Sequence, residues 1–429
     1  MKNQPIVESD RIESLDVLRG FSLLGILLMN IIGFGFVAAA YTVPGLMIQD
    51  GADLFAWGII ELVAEGSMRG LFSVLFGAGV ILFLGNKREG RGWLHVKRTT
   101  WLLFFGLFNG YVLLWTGDIL VTYALAGFLL YFLRNLEGRT LLRLAIGLTV
   151  LITLYSTASH FGIKYLRANA ETAAAQQSAD QPVPEDVAVL AAQWEGFKGE
   201  YAPTNRMIEQ EVSARGGSYE SAFMWTAHHN TAILMNSLWS FLLPDALVMM
   251  ILGMALYKLG VLQGQCAREV YAKLAGLGFA VGFAINGFEV WFAYQSQFDL
   301  IDAFLKITPT YHLGRMAVTL GWIGLLLWLI KGGWHSLRLA AVGRMALTNY
   351  LMQSLLCMLV FTGAGLGWVG QLQLWQVYGI VFPIWLLQLW LSPWWLKRYY
   401  YGPIEWLWRA LTYGAFPTLR RSNAPNRAQ

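Results

Sequence analysis

Ten runs of mostly apolar residues leave this chain little choice of fold. They fall at about 17–37, 55–84, 99–116, 118–133, 141–160, 238–257, 274–293, 313–330, 345–361 and 373–391. Runs of that length suit the hydrocarbon core of a bilayer, roughly 30 Å thick and crossed by about 20 helical residues. Composition agrees: 13% of the 429 residues are charged, against about 25% in a soluble domain. The expected fold is an all-α polytopic membrane protein of about ten transmembrane helices, with the lipid bilayer as its first partner.

The loops alternate in charge. One set carries Lys87, Arg88, Arg91, Lys97 and Arg98, then Arg134, Arg139 and Arg143, then Lys258, Arg268 and Lys273, then Lys331, Arg338 and Arg344. The opposite loops at 38–53, 117–118 and 362–372 have neither Lys nor Arg. With both termini basic, the positive-inside rule gives an N-in, C-in topology. Because the basic residues sit in short loops between apolar runs, the net charge of +5 reads as a topology signal and not as a nucleic-acid surface. Acidic residues before the first run, and no small-residue cleavage site after it, argue against a cleavable signal peptide. Cys266 and Cys357 are too few and too isolated for a metal site or a disulfide framework.

Four regions follow. Residues 1–160 form an N-terminal bundle of about five spans, and 161–230 a small helical insert on the outer face. Residues 231–393 form a second bundle of about five spans, and 394–429 an interfacial helix and tail on the cytoplasmic side. In the insert, Pro182 and Pro184 mark a linker, with helical runs near 185–199 and 205–214. The run at 55–84 would make a helix about 45 Å long, so a break is expected near Gly66. After Pro393, interleaved aromatic and basic residues from Trp394 to Arg409 suit a helix lying in the interface.

Charge at membrane depth costs about 2.5–3.5 kcal/mol per group on insertion scales, so it requires partners or a wet cavity. Loop topology puts Asn30, Glu61, Glu65, Arg69, Asp118, Asp245, Glu289, His312 and Arg315 in the outer half, with His228 and His229 just above. It puts Asp16, Arg19, Arg344, Asn349 and Gln353 in the inner half. Each has a plain reading beside a functional one. Glu65 and Arg69, four apart, suit an ion pair on one helix face, as do Asp16 and Arg19, three apart. Asn30 suits a bond to a neighbouring helix. His312 precedes Arg315 by one turn, as an anion-binding pair would. His228 and His229 suit acid–base chemistry because a free imidazole titrates near neutrality, but adjacent residues on a helix point apart. No HExxH, CxxC, GxSxG or phosphate-cradling glycine motif occurs, so metal chemistry and serine-hydrolase chemistry have no motif behind them.

Four stretches carry a resemblance. They are Ser14-Leu15-Asp16-Val17-Leu18-Arg19-Gly20 with Asn30, the segment from Glu65-Gly66-Ser67-Met68-Arg69-Gly70 to Gly77-Ala78-Gly79, the segment Gly343-Arg344-Met345-Ala346-Leu347-Thr348-Asn349-Tyr350-Leu351-Met352-Gln353-Ser354, and Gly402-Pro403-Ile404-Glu405-Trp406-Leu407-Trp408-Arg409. Together they resemble the YeiB family of bacterial inner-membrane proteins, over nearly the whole chain. The first stretch also looks like that of the transmembrane acyltransferases, including the heparan-alpha-glucosaminide N-acetyltransferases. That wider resemblance implies a fold of ten or eleven helices, with acyl transfer from cytoplasmic acyl-CoA (acetyl-CoA) to an acceptor across the membrane. Asn30 matches an asparagine near the active site in the N-acetyltransferases. Those enzymes carry a catalytic histidine shortly after it, and here the region around Tyr41 has none.

The leading expectation is therefore an inner-membrane, acyltransferase-like protein with acyl-CoA as co-substrate and no metal. The general base is sought among His228, His229, Glu65 and His312. The substrate-binding candidates are Asp16, Arg19, Asn30, Arg69, Asp245, Glu289, Arg315, Arg344, Asn349 and Gln353. The acceptor is a small molecule or lipid, and self-association is a further candidate partnership. The alternatives are a transporter or flippase of a small anion or lipid, for which charges facing a cavity serve equally well, and a non-catalytic membrane protein.

Overall fold

The computed structural model describes residues 12–85, 91–299 and 309–421. Among them every regular element is helical, apart from one isolated bridge between Tyr399 and Arg420. The helices are α1 (Glu13–Gly35), α2 (Gly51–Val63), α3 (Ser67–Leu84), α4 (Arg91–Leu107), α5 (Leu120–Leu133), α6 (Gly138–Ser178), α7 (Glu185–Tyr201) and α8 (Asn205–Gly217). There follow α9 (Tyr219–Met235), α10 (Leu243–Lys258), α11 (Arg268–Gln295), α12 (Pro309–Lys331), α13 (Leu337–Arg344), α14 (Ala346–Phe361), α15 (Leu374–Leu396) and α16 (Pro403–Tyr413).

Seven stretches among the described residues are long and apolar enough to cross a bilayer: α1, α2 with α3, α6, 238–258 including α10, α11, α12 and α15. An eighth is the α13–α14 pair, bent by 83°. This is fewer than the ten runs read from the sequence. The run at 99–116 falls on α4 and a π-helical turn at Phe108–Val112, and the first half of α4 carries Arg91, Lys97 and Arg98. The run at 118–133 becomes α5, which is apolar but only 14 residues long.

The break expected near Gly66 lies at 64–66, where Gly66 takes φ +63°. A Cβ there would run into the side chain of Arg315, so glycine serves both the turn and the approach of that guanidinium. The first half of the bundle meets the second through α3 and α10. Their backbones touch at Gly77 and Gly253, where a Cβ would strike the Met250 and Val74 carbonyls respectively. Gly77→Ala is expected to destabilise by about 1–3 kcal/mol through overpacking. Gly79→Ala has nothing within 4 Å of the new methyl and should be neutral or mildly stabilising, since Ala is the better helix former. Equal melting temperatures for the two variants in detergent would contradict this account.

The insert expected to begin at 161 has no boundary there. Helix α6 runs unbroken for 41 residues, about 60 Å, and so projects well past a bilayer. Helix α7 packs back along it. The short α8 is locked to the C-terminal end of α1 by Arg215, which is 4% exposed. Its guanidinium donates to the carbonyls of Gly33 (2.6 Å), Phe34 (3.0 Å) and Phe36 (2.7 Å) and pairs with Glu211 at 2.9 Å. Glu211 in turn accepts from the Ala38 N–H at 2.8 Å. A helix ends with unbonded carbonyls and a negative partial charge, and a buried arginine fork answers both. At the other end of the chain, α15 continues through Pro393 to Leu396, and only then does the chain turn into α16.

Candidate functional site

Three of the four stretches quoted above meet at one place. Helices α1 and α13 cross at two glycines: a Cβ on Gly20 would strike the Leu339 carbonyl, and one on Gly343 the Asp16 carbonyl. This contact brings Asp16 and Arg19, paired at 3.0 Å, beside Arg344, which ends α13 at the 83° bend into α14. Glu405 of α16 straps onto the start of α14, accepting from the Thr348 N–H at 2.9 Å and the Thr348 hydroxyl at 2.6 Å. Trp408, one turn on, donates to the Arg98 carbonyl at 2.8 Å, and the Arg98 guanidinium lies 4.5 Å over its ring.

Between these elements and α3, the fourth stretch, lies a cavity of about 290 Å3. Its polar part holds four arginines, Arg19, Arg98, Arg344 and Arg409, with His95, against Asp16 and Glu405. Burial, and then the Arg409 guanidinium, pushes Arg98 down to about 10. Burial lifts the Glu405 carboxyl, with the Thr348 hydroxyl opposing. Clustered like charges of this kind favour an anion that would relieve them. Most of the remaining lining is apolar, with Phe72, Leu75 and Phe76 of α3, Leu102, Leu120 and Leu347, while Thr99, Thr412, Tyr401 and Tyr413 add hydroxyls. Tyr123 and Tyr350 also line it. Tyr123 shares a 2.6 Å hydrogen bond with Ser73 and donates to the Arg69 carbonyl at 3.3 Å. Tyr350 lies 3.5 Å from Asp118, which also accepts from Asn109 at 2.8 Å.

Further along α3 is a second polar assembly centred on Arg315, which is 4% exposed. It donates to Glu65 at 2.7 Å, to Asn286 at 3.1 Å and to Glu289, and lies 3.5 Å from Glu61. Arg69 donates to Asp245 and to the Tyr311 hydroxyl, each at 3.0 Å. His312 Nδ1 lies 3.3 Å from the other Asp245 oxygen, and its Nε2 is 3.3 Å from the Ser156 hydroxyl. A small cavity of about 20 Å3, lined among others by Gly66, Arg69, Asp245, Tyr311, His312 and Arg315, sits among them. It has room for about one water molecule.

The structure thus divides the candidates. Asp16, Arg19 and Arg344 share the basic cavity, and Glu65, Arg69, Asp245, Glu289, His312 and Arg315 share the buried network. Glu65 and Arg69, expected to pair on one face, reach to different helices, because the break at Gly66 ends the helical register between them. His312 and Arg315, expected to hold an anion together, each face carboxylates of the protein instead. Asn349 and Gln353 do not line the cavity: Asn349 bonds Ser392 at 3.0 Å and Gln353 bonds Gln388 at 2.9 Å, joining α14 to α15. Asn30 is partly buried on α1 and lines neither cavity. His228 is exposed, and His229 stacks on Trp225 at 4.8 Å, its imidazole pushed down to about 4 by burial and then by Arg215. Neither lines either cavity. Sequence reasoning missed Arg98 and Arg409 as cavity residues. The one signal for Arg409 was its place in the last of the four stretches; Arg98 read as a loop charge.

Residues 256–415 match the family described as "Protein of unknown function (DUF418)". The chain is 31% identical over 427 residues to the uncharacterized protein YeiB of Escherichia coli (strain K12), covering 94% of this chain and 96% of that protein. It is 28% identical over 426 residues to the uncharacterized protein YxaH of Bacillus subtilis (strain 168), covering 96% of each. It is also 25% identical to an uncharacterized 39.9 kDa protein of Bacillus acidopullulyticus, across 98% of this chain and 99% of that one.

Proposed function

The chain belongs to the YeiB family, and on that premise we propose that this multi-pass membrane protein takes an acyl-CoA into its basic cavity and transfers the acyl group to an acceptor from the other side of the membrane. One observation carries the reading: a single cavity of about 290 Å3 joins four arginines to an apolar interior. An anionic head with an apolar or acyl arm matches both parts. Guanidinium forks suit the phosphates through charge-assisted bidentate hydrogen bonds. The volume suits the acyl-pantetheine arm, with the nucleotide held at the arginine-lined mouth.

The topology belongs to the same proposal. About ten crossings of the inner membrane, with both termini on its cytoplasmic side, turn the arginine side of the cavity toward the cytoplasm, where acyl-CoA is found. Of the four candidate bases, His312 has the arrangement a general base needs, with a carboxylate on one ring nitrogen and a hydroxyl on the other. Glu65 is engaged by Arg315.

Equilibrium binding of acetyl-CoA and longer acyl-CoAs to the protein in lipid nanodiscs tests this. Each of Arg19→Ala and Arg344→Ala should weaken binding about 10- to 100-fold, the equivalent of one charge-assisted hydrogen bond. Affinity unchanged in both variants, or none to begin with, would overturn the donor assignment. The same arginines suit an anionic lipid being moved intact. Movement of such a lipid across proteoliposomes with no covalent change would favour the transporter reading.

A further inference from the structure

The bonds around His312 define more than a candidate base. Asp245 accepts only, so in the neutral form of the ring the His312 Nδ1 that faces it carries the proton and Nε2 presents a lone pair. The group opposite that lone pair is the Ser156 hydroxyl, at 3.3 Å. The carboxylate is held in turn by Arg69 at 3.0 Å on its second oxygen. Hydroxyl, imidazole and carboxylate thus stand in the order of an activated nucleophile, its base and the group that orients the base. The three come from α6, α12 and α10, far apart in sequence and without a motif around the serine.

We propose that Ser156 is a nucleophile that carries the acyl group as a serine ester between donor and acceptor. This rests on the acyl-CoA reading above. In the first half-reaction Ser156 Oγ bonds to the thioester carbonyl carbon while its proton passes to His312 Nε2. The carbon–sulfur bond then breaks, and the departing thiolate takes that proton. In the second, an acceptor hydroxyl or amine attacks the serine ester and gives its proton to His312. Ser156 leaves as the alkoxide and recovers the proton, so atoms and charge balance over the cycle. Asp245 is a positioning residue for His312, and Arg69 and Tyr311 are the donors at hand for the oxyanion.

To reach Ser156 from the basic cavity, the acyl group has to pass α3, which lines both cavities. Thr149, Ile152 and Ser156 share one face of α6 by their spacing, and the first two line the small cavity beside His312. Along α3, Gly70 lines the small cavity and Phe72 the basic one, about 3 Å apart along the axis but on opposite faces of the helix. Met249 and Met316 form part of the small cavity's wall, and unbranched thioethers are the apolar side chains that give way most readily. The room for about one water therefore has to enlarge, by movement of these side chains, before an acyl group can enter.

Two measurements on the full chain in detergent or nanodiscs test the proposal. A fluorophosphonate probe requires an activated serine but no acyl-CoA. Peptide mass spectrometry should find it on Ser156, absent in Ser156→Ala and reduced at least 100-fold in His312→Gln, with thermal scans showing both variants folded. Labelled acetyl-CoA without acceptor should leave an alkali-labile ester on Ser156 and release one equivalent of CoA. A folded wild-type protein that takes up no probe at Ser156, or wild-type transfer rates in Ser156→Ala, would overturn the nucleophile. If the probe labels Ser156 while acetyl-CoA neither binds nor reacts, the donor assignment fails and the activated serine stands. If acetyl-CoA binds in an Arg19-dependent way and neither reagent marks Ser156, the reverse holds.

Discussion

Arg315→Met is expected to cost about 3–5 kcal/mol and to remove most folded protein from the membrane, because it leaves buried carboxylates without their cation. Glu61, Glu65 and Glu289 all approach this one guanidinium, and Glu61 and Glu289 are 3% and 5% exposed. Across the wider network four carboxylates, counting Asp245, face two guanidiniums and one imidazole. The surplus is already acidic before any arginine is lost. Methionine keeps the length and packing of the side chain and removes only charge and hydrogen bonds. Combining Arg315→Met with Glu65→Gln and Glu289→Gln should recover much of the loss, since neutral amides are far cheaper to bury. Fluorescence-detected size exclusion with a thermal ramp reads both effects. A single variant that melts within a degree or two of wild type would show that the network does not hold the bundle together.

The second large effect is expected at Arg215→Met, at the C-terminal end of α1. Removing this side chain strands the carbonyls of Gly33, Phe34 and Phe36 and unpairs Glu211, again about 3–5 kcal/mol for a buried charge pair broken on one side. Burial draws Arg215 down and lifts Glu211, each opposed by the partner's charge. Arg215→Lys should recover little, because one ammonium cannot divide its donors between a carboxylate and three carbonyls as the fork does. Protease sensitivity near 36–50 is the most direct readout, since Arg215 and Glu211 together fasten the turn after α1 to the insert. Unchanged sensitivity in Arg215→Met would contradict that role.

Much of the site could be read from residue types alone. Any charge within an apolar run must find a partner, so Arg19, Arg69, Asp245, Glu289 and Arg315 stood out. Partner choice could not be read the same way. The pairing offered for Glu65 and Arg69 needed helical register across Gly66, where the same sequence pointed to a break, and the positive φ of Gly66 turns those two side chains to different neighbours. Asn349 and Gln353 looked like ligand-facing amides beside Arg344. Ser392 and Gln388, which bond them, lie 43 and 35 residues away and are brought there by packing of α15. Arg98 looked like one topology charge among many until α16 folded beneath α4 and placed Trp408 and Arg409 against it. Ser156 drew no notice at all, since a serine in an apolar run ordinarily bonds its own helix and no flanking motif marked it.

The division has a physical cause. Apolar length, loop charge and the cost of charge in lipid are local properties, each readable within one segment, and they settled on their own that this chain is an all-helical protein of the membrane. Which helices touch depends on glycine contacts such as Gly20 with α13 and Gly77 with Gly253 on α10, where absent side chains let backbones meet. Those contacts join segments hundreds of residues apart. The tertiary structure alone therefore decided that Arg19, Arg98, Arg344 and Arg409 surround one cavity, and that Ser156, His312 and Asp245 stand in line beside another.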